Sequence, residues 1–157
     1  MVQALPRVRV SELQRILVIR RDNIGDLVCT TPLIAALRAR YPKAWIGALV
    51  NSYNAPVLEG NPDLDAVYSY EKLKHRDGQD SLLRTIAGAV FERYLLIRSL
   101  RAQKLDCVAI ATTKYVSRTV NLAARLRPKT IAGFVDGKCR DERIRLPAKS
   151  WATRAPV

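Results

Sequence analysis

The strongest limit on what this chain can fold into comes from its alternation of short apolar runs with longer segments of helical period. The runs Ile16–Ile19, Trp45–Val50, Ala66–Tyr70, Cys107–Ala111 and Ile131–Phe134 are four to six residues long and mostly rich in β-branched or aromatic side chains. Such runs read as strands, several of them buried on both faces, and strands that alternate with helices imply a parallel sheet covered by helices. Between the first two, Leu27, Ile34 and Leu37 make a helical face that stops at Tyr41-Pro42. Pro32 leaves two readings open: Thr31 caps a helix that starts at Pro32, or a helix begins near Asp26 and kinks there. A longer helix, about Asp80 to Gln103, aligns Leu83, Ile86, Val90, Tyr94 and Ile97 in a stripe expected to be core, with Arg84, Arg93, Arg98 and Arg101 projecting elsewhere.

With 157 residues, 48% of them apolar, the chain has material for the core of one domain. No apolar run approaches the roughly 20 residues that cross a bilayer, and the first fourteen residues lack a signal-like apolar stretch, so a cytoplasmic protein is expected. Cys29, Cys107 and Cys139 are far apart and His75 is the single histidine; no disulfide framework or metal site is encoded. Cys29 reads as a small buried hydrophobe and His75 as part of a polar surface loop, Glu71 to Asp80. Trp45 and Tyr68 read as packing residues. After Phe134 charge is dense and the periodicity dissolves. The expected organisation is an N-terminal extension (1–14), an α/β domain (15–135) and a basic linker or tail (136–157). No helix is evident to close the last strand, so the chain reads as half of something larger.

The balance of 27 Lys and Arg against 14 Asp and Glu gives a net charge of +13, and from Lys114 onward eleven basic residues face three acidic ones. Nucleic acid, phospholipid head groups and phosphorylated saccharides would all answer that field; so would a simple need for solubility. Only ten aromatic residues are scattered along the chain, without the interleaving of a single-strand binder, which makes nucleic acid an unlikely partner.

In open α/β sheets ligands lie beyond the carboxyl ends of the strands, so the turn after the first strand, Arg20 to Asp26 in "RILVIRRDNIGDLVCTTP", is where functional groups are expected. Its lone Gly25 makes neither GxGxxG nor a P-loop. It offers Asp22, Asn23 and Asp26 beside a helix start, where an ionised carboxylate is favoured. Asp26 suits a general base that takes a proton from a hydroxyl nucleophile; it equally suits a helix N-cap. Gly25 would let the chain turn at a left-handed or crowded position.

The run "ILVIRRDNIGDLVCTTPLIAALRARYPKAWIGALV" resembles the start of the lipopolysaccharide heptosyltransferase family, glycosyltransferase family 9, where an "S-x-G-D" turn precedes a "TTPLL-x-ALR" helix. "VLEGNPDLDAVYSY", "LRAQKLDCVAIA" and "LAARLRPKTIAGF" are similar to the family's third-, fourth- and fifth-strand segments, so the resemblance covers roughly Arg15 to Phe134. It implies the Rossmann-like N-terminal half of a GT-B glycosyltransferase, the acceptor side of a cleft whose donor-binding domain is absent from this sequence. The implied reaction is inverting transfer of a sugar from an ADP-sugar to a lipopolysaccharide core hydroxyl, with Asp26 as base. Arg20, Asn23, Gly25, Lys114 and Arg118 are the implied acceptor contacts, with Arg21 a further basic candidate. No cofactor is implied. The donor, ADP-heptose or a related nucleotide sugar, would be held mainly by the other domain, and the anionic lipid-linked acceptor implies peripheral contact with the inner membrane. Asp22 and Asn23 depart from the small hydroxyl residues common in the family, as do Ile110 to Thr113 from its acidic and polar pair. The rival reading is a non-enzymatic basic Rossmann-like module that binds nucleic acid or a partner protein.

Overall fold

The computed structural model describes residues 13–70, 82–112 and 116–133. Lys114, His75, Cys139, Phe134 and the segment 136–157 lie outside them, as does the loop read at 71–80. Five strands, β1 (Arg15–Ile19), β2 (Trp45–Asn51), β3 (Ala66–Tyr70), β4 (Cys107–Ile110) and β5 (Thr130–Gly133), form one parallel sheet in the order β3-β2-β1-β4-β5. All five expected strands are present within a residue or so of their expected limits.

The central strand shows why these runs are apolar throughout. Leu17 and Ile19 join a core with Leu49, Val108, Ile110 and Ile131, whereas Val18 packs on the opposite face with Leu27, Ile34, Ala48 and Val50. Alternate residues of β1 thus point into two separate cores. Edge strand β3 alternates between half-buried and exposed positions, so only one of its faces is covered.

Two helices cover one face, α1 (Ile24–Val28) and α2 (Thr31–Arg40); on the other lie α3 (Leu82–Ala102) and α4 (Ser117–Arg125). The Pro32 question resolves as a break: α1 ends at Cys29, and α2 starts afresh with Thr30 as cap residue and Pro32 within its first two positions. Proline is accepted there because those N–H groups have no helical acceptor. Neither α4 nor the 3₁₀ segment Ser52–Leu58 is announced by the sequence; the latter contains Pro56 and reads as loop.

Two expectations are corrected. The α3 stripe is not all core: Ile97 is half-buried, but Val90 and Tyr94 are exposed. The face of α3 that meets the core passes instead through Leu96, Ile97 and Leu100, and Val90 and Tyr94 lie to one side of it. Cys29 is exposed, since it caps α1 at the break before α2, while Cys107 is buried. Among the described residues no helix is long and apolar enough to cross a membrane.

The amino edge of the sheet is tied by carboxylates. Asp106 Oδ2 accepts hydrogen bonds from the Gln14 and Arg15 N–H groups, both at 3.0 Å, and Oδ1 lies 2.7 Å from Lys129 Nζ. Asp65 Oδ2 accepts from the Ile46 N–H at 2.6 Å and from Arg38 Nη2 at 2.8 Å. Burial pushes both carboxyls up, yet the bonds they accept outweigh it and leave each below its ordinary value.

Candidate functional site

The chain runs outward from β1 to β2 and β3, then returns to place β4 on the other side of β1. The crevice at the carboxyl ends of β1 and β4 is therefore the sheet's topological switch point, where ligands of open α/β sheets bind. Residues Arg20 to Asp26 occupy that place. The adjoining strands hold the start of this turn: Arg20 N–H donates to Leu49 O and Ala111 N–H to Ile19 O, both at 3.1 Å.

Arg20 is not the surface cation its composition suggests. Only 5% exposed, it aims its guanidinium into the turn, with Nη2 3.0 Å from Asp26 Oδ1 and Nε 3.4 Å from Asp22 Oδ2. A buried guanidinium requires charge compensation, and the two carboxylates supply it. Asp26 keeps 45% of its side-chain surface open despite that contact. A carboxylate oriented from behind by a buried cation and open in front can meet a ligand hydroxyl.

The N-cap alternative for Asp26 is overturned. Asn23 holds the cap position of α1, without a side-chain cap bond, and Asp26 sits inside the first turn. Its backbone carbonyl accepts from Thr30 Oγ1 at 2.8 Å, which joins α1 to the start of α2. Gly25 is also reinterpreted. It lies within α1, outside the positive-φ glycines, and a Cβ placed there would meet nothing within 4 Å. Neither a left-handed turn nor crowding explains it.

A set of residues that sequence reasoning missed fixes the turn from the β2 side. Asn51 Nδ2 donates to the carbonyl of Arg21 at 2.6 Å and lies 3.3 Å from that of Asp22. Asn54 Nδ2 and Tyr53 Oη donate to the Asp22 carbonyl at 2.9 and 3.2 Å. Both asparagines are fully buried. The available signal was "NSYN" directly after an apolar strand, since polar amides at a carboxyl edge need partners once buried.

Arg21 turns toward β3. Its guanidinium lies 4.8 Å from the centre of the Tyr70 ring, and Nε donates to the Tyr70 hydroxyl. Arg118 is exposed near the start of α4, on the connection that follows β4, with no contact to the Arg20–Asp26 pair among the interactions described. The structure thus brings Arg20, Asp22 and Asp26 together, with Asn23 and Gly25 on the same turn. Among the described residues no three His, Cys, Asp or Glu side chains converge as a metal site would require.

No family model matches the sequence. Among curated proteins, the chain is 29% identical over 92 residues to lipopolysaccharide heptosyltransferase 3 of Escherichia coli, a match covering 59% of this chain and 24% of that protein. The protein of that name in strain K12 is 30% identical over the same length and shares. A putative glycosyltransferase of Haemophilus influenzae is 35% identical over 80 residues, covering 51% of this chain and 23% of the relative. The chain thus spans about a quarter of the length of the curated relatives it matches. Solved structures share the fold. A glycosyl transferase family 9 protein from Veillonella parvula superposes with a TM-score of 0.60 at 24% identity, over 77% of this chain and 31% of its own. The E. coli heptosyltransferase WaaC with ADP gives 0.61 at 20% identity, over 76% and 35%. These sequence matches make the chain similar to about a quarter of the length of lipopolysaccharide heptosyltransferases, and the solved structures show that its fold is the one found in a glycosyl transferase family 9 protein and in WaaC.

Proposed function

We propose that this chain forms the acceptor-side wall of a glycosyltransferase that moves a sugar from a nucleotide sugar of the ADP-heptose type to a hydroxyl of an anionic lipopolysaccharide core. The observation that carries this reading is the half-open Asp26 carboxylate, held 3.0 Å from buried Arg20 at the switch point of the sheet. Asp26 takes the proton of the acceptor hydroxyl while that oxygen attacks the anomeric carbon; the bond to the diphosphate breaks on the opposite side, and the configuration inverts. Arg20 acts through Asp26, fixing the carboxylate where the hydroxyl must arrive. The acceptor's negative charge is met by exposed Arg118, with Lys114, outside the described residues, a further candidate from the sequence, while Asn23 and Gly25 give the acceptor a close approach to α1. The donor is held by groups outside the described residues, and a lipid-anchored acceptor places the protein against the inner membrane.

The test is Asp26→Asn in the full-length gene product, assayed for transfer from ADP-heptose to a lipid A carrying inner-core sugars. Loss of the base lowers turnover by about 10²–10⁴ with the fold intact by circular dichroism. Turnover close to wild type in the folded variant would remove Asp26 from the chemistry.

A further inference from the structure

Helix α3 carries an apolar face that the sheet does not use. Leu96, Ile97 and Leu100 pack inward, and with Arg93, Leu122 and Tyr70 they line a small cleft. Tyr70 ends β3 at the carboxyl edge of the sheet, so the turn Arg93–Leu96 stands level with that edge. From there the helix runs back toward the amino edge, where β4 begins. Residues 82–92 therefore extend about 15 Å farther in the direction the strands point, at 1.5 Å per residue. This is the end of the molecule that holds Asp26. The link is physical: Arg21, next to Arg20, stacks on the ring of Tyr70.

At this level Val90, Phe91, Tyr94 and Leu95 are 63%, 61%, 58% and 45% exposed. Their spacing puts all four within an arc of about 140° on a 3.6-residue helix. Exposed Arg98 continues the same face one turn on, whereas Arg101 is turned toward α4, where its Nε donates to the Arg125 carbonyl at 2.7 Å. Glu92, the single acidic residue of Leu82–Ala102, lies about 130° from the centre of that face. Aromatic and aliphatic side chains bordered by an arginine on a helix too polar to span a bilayer are the make-up of a helix that lies in a lipid interface.

We infer that this face of α3 docks the protein on an anionic phospholipid surface, Phe91, Tyr94 and Leu95 entering the interface and Arg98 meeting lipid phosphates. A second copy fits less well. An isologous contact would bring the same arginine of each copy together in a chain of net charge +13. The four side chains also expose on the order of 400 Å², about half of what each partner of a stable dimer contributes. The inference rests on the proposed function only in its purpose: a docked α3 holds the carboxyl edge at the height of a lipid-anchored acceptor.

The experiment is co-sedimentation of the full chain with vesicles of mixed phosphatidylcholine and phosphatidylglycerol, against pure phosphatidylcholine. The variants are Phe91→Ser with Leu95→Ser, Arg98→Gln, and Asp26→Asn, each checked for fold by circular dichroism. Wild type binds the anionic vesicles. The serine pair weakens that binding roughly tenfold or more, Arg98→Gln weakens it less, and Asp26→Asn leaves it unchanged. Basic residues elsewhere contribute equally to every variant, so the comparison reads this face alone. No binding by wild type, or equal binding by the serine pair, would overturn the inference. So would a wild-type dimer in sedimentation velocity that the serine pair converts to monomer, which would make a second copy the occupant. Vesicle binding does not depend on Asp26, so a normal turnover of Asp26→Asn would defeat the catalytic reading and leave this one standing.

Discussion

Asp26 is placed by two neighbours that do different things: Arg20 orients its carboxylate, and the Asn51, Tyr53 and Asn54 side chains hold the backbone of the turn that carries it. Asn54→Ala removes one donor from the Asp22 carbonyl, which Tyr53 still partly satisfies, so a loss of about 1–2 kcal/mol is expected in urea unfolding. Turnover measured at a temperature where the variant is fully folded should fall as well, because the turn can then swing Asp26 away from the acceptor. A variant that loses stability with turnover unchanged would show that the clamp serves the fold alone. Gly25 gives the opposite contrast. Alanine there meets no atom within 4 Å and suits a helix better than glycine by about 0.5–1 kcal/mol, so the melting temperature should hold or rise. If the acceptor lies against α1, the added methyl raises the acceptor KM; an unchanged KM would place the acceptor elsewhere. The sequence exposed Asp26 and Gly25 through their pattern but left the cap reading of Asp26 open and misread the backbone at Gly25. An N-cap and an N3 position differ by three residues, and only the true start of α1 at Ile24 distinguishes them.

The strands were legible because a central parallel strand is apolar on both faces, and Ile16–Ile19 satisfies two cores at once. Helix orientation was less so. The sequence of α3 supports an apolar stripe through Val90 and Tyr94 and another through Leu96 and Leu100; periodicity alone does not say which meets the sheet. Helix α4 escaped notice because it is only nine residues long and its buried face, Thr119, Val120, Leu122 and Ala123, includes a hydroxyl and a small residue among its apolar positions. Inside β2 a single residue sets the packing. Gly47 lies beneath the Trp45 indole, and a Cβ there would come within 2.4 Å of the ring, itself tilted 59° against Tyr68 with centroids 6.3 Å apart. Gly47→Ala must displace the indole and should cost about 1–3 kcal/mol. In the background of Trp45→Leu most of that cost should disappear, giving a coupling above 0.5 kcal/mol in a double-mutant cycle. Additive losses would mean that the backbone of β2, and not the ring, opposes the added methyl.

Across the whole molecule the two edges of the sheet divide the work. The carboxyl edge keeps Asp26 open beside buried Arg20, whereas the amino edge spends its carboxylates on structure: Asp106 joins the residues that begin β1 to β4 and to Lys129 before β5, and Asp65 joins β2 to the end of α2. That division implies a pH dependence of fixed sign. For both aspartates burial raises the carboxyl, the accepted hydrogen bonds and the basic partners lower it further, and the net direction is down. A group depressed in the folded state adds stability above its unfolded value, about 3.9 for aspartate, and loses it as pH falls through the folded one. Lys129 is 80% exposed, so most of the effect at Asp106 belongs to the two backbone N–H groups and not to the ion pair. Asp106→Asn should therefore lower stability by about 1–3 kcal/mol at pH 7, and the gap from wild type should close progressively below about pH 4. Turnover per folded molecule should stay at the wild-type level, because Asp106 lies at the opposite edge from Asp26. Urea unfolding of both proteins from pH 7 to pH 3 measures the first part and a transfer assay the second. A gap that stays constant with pH would show that the residue acts through shape and not charge, while a fall in turnover would show that the two edges are coupled through β1 and β4.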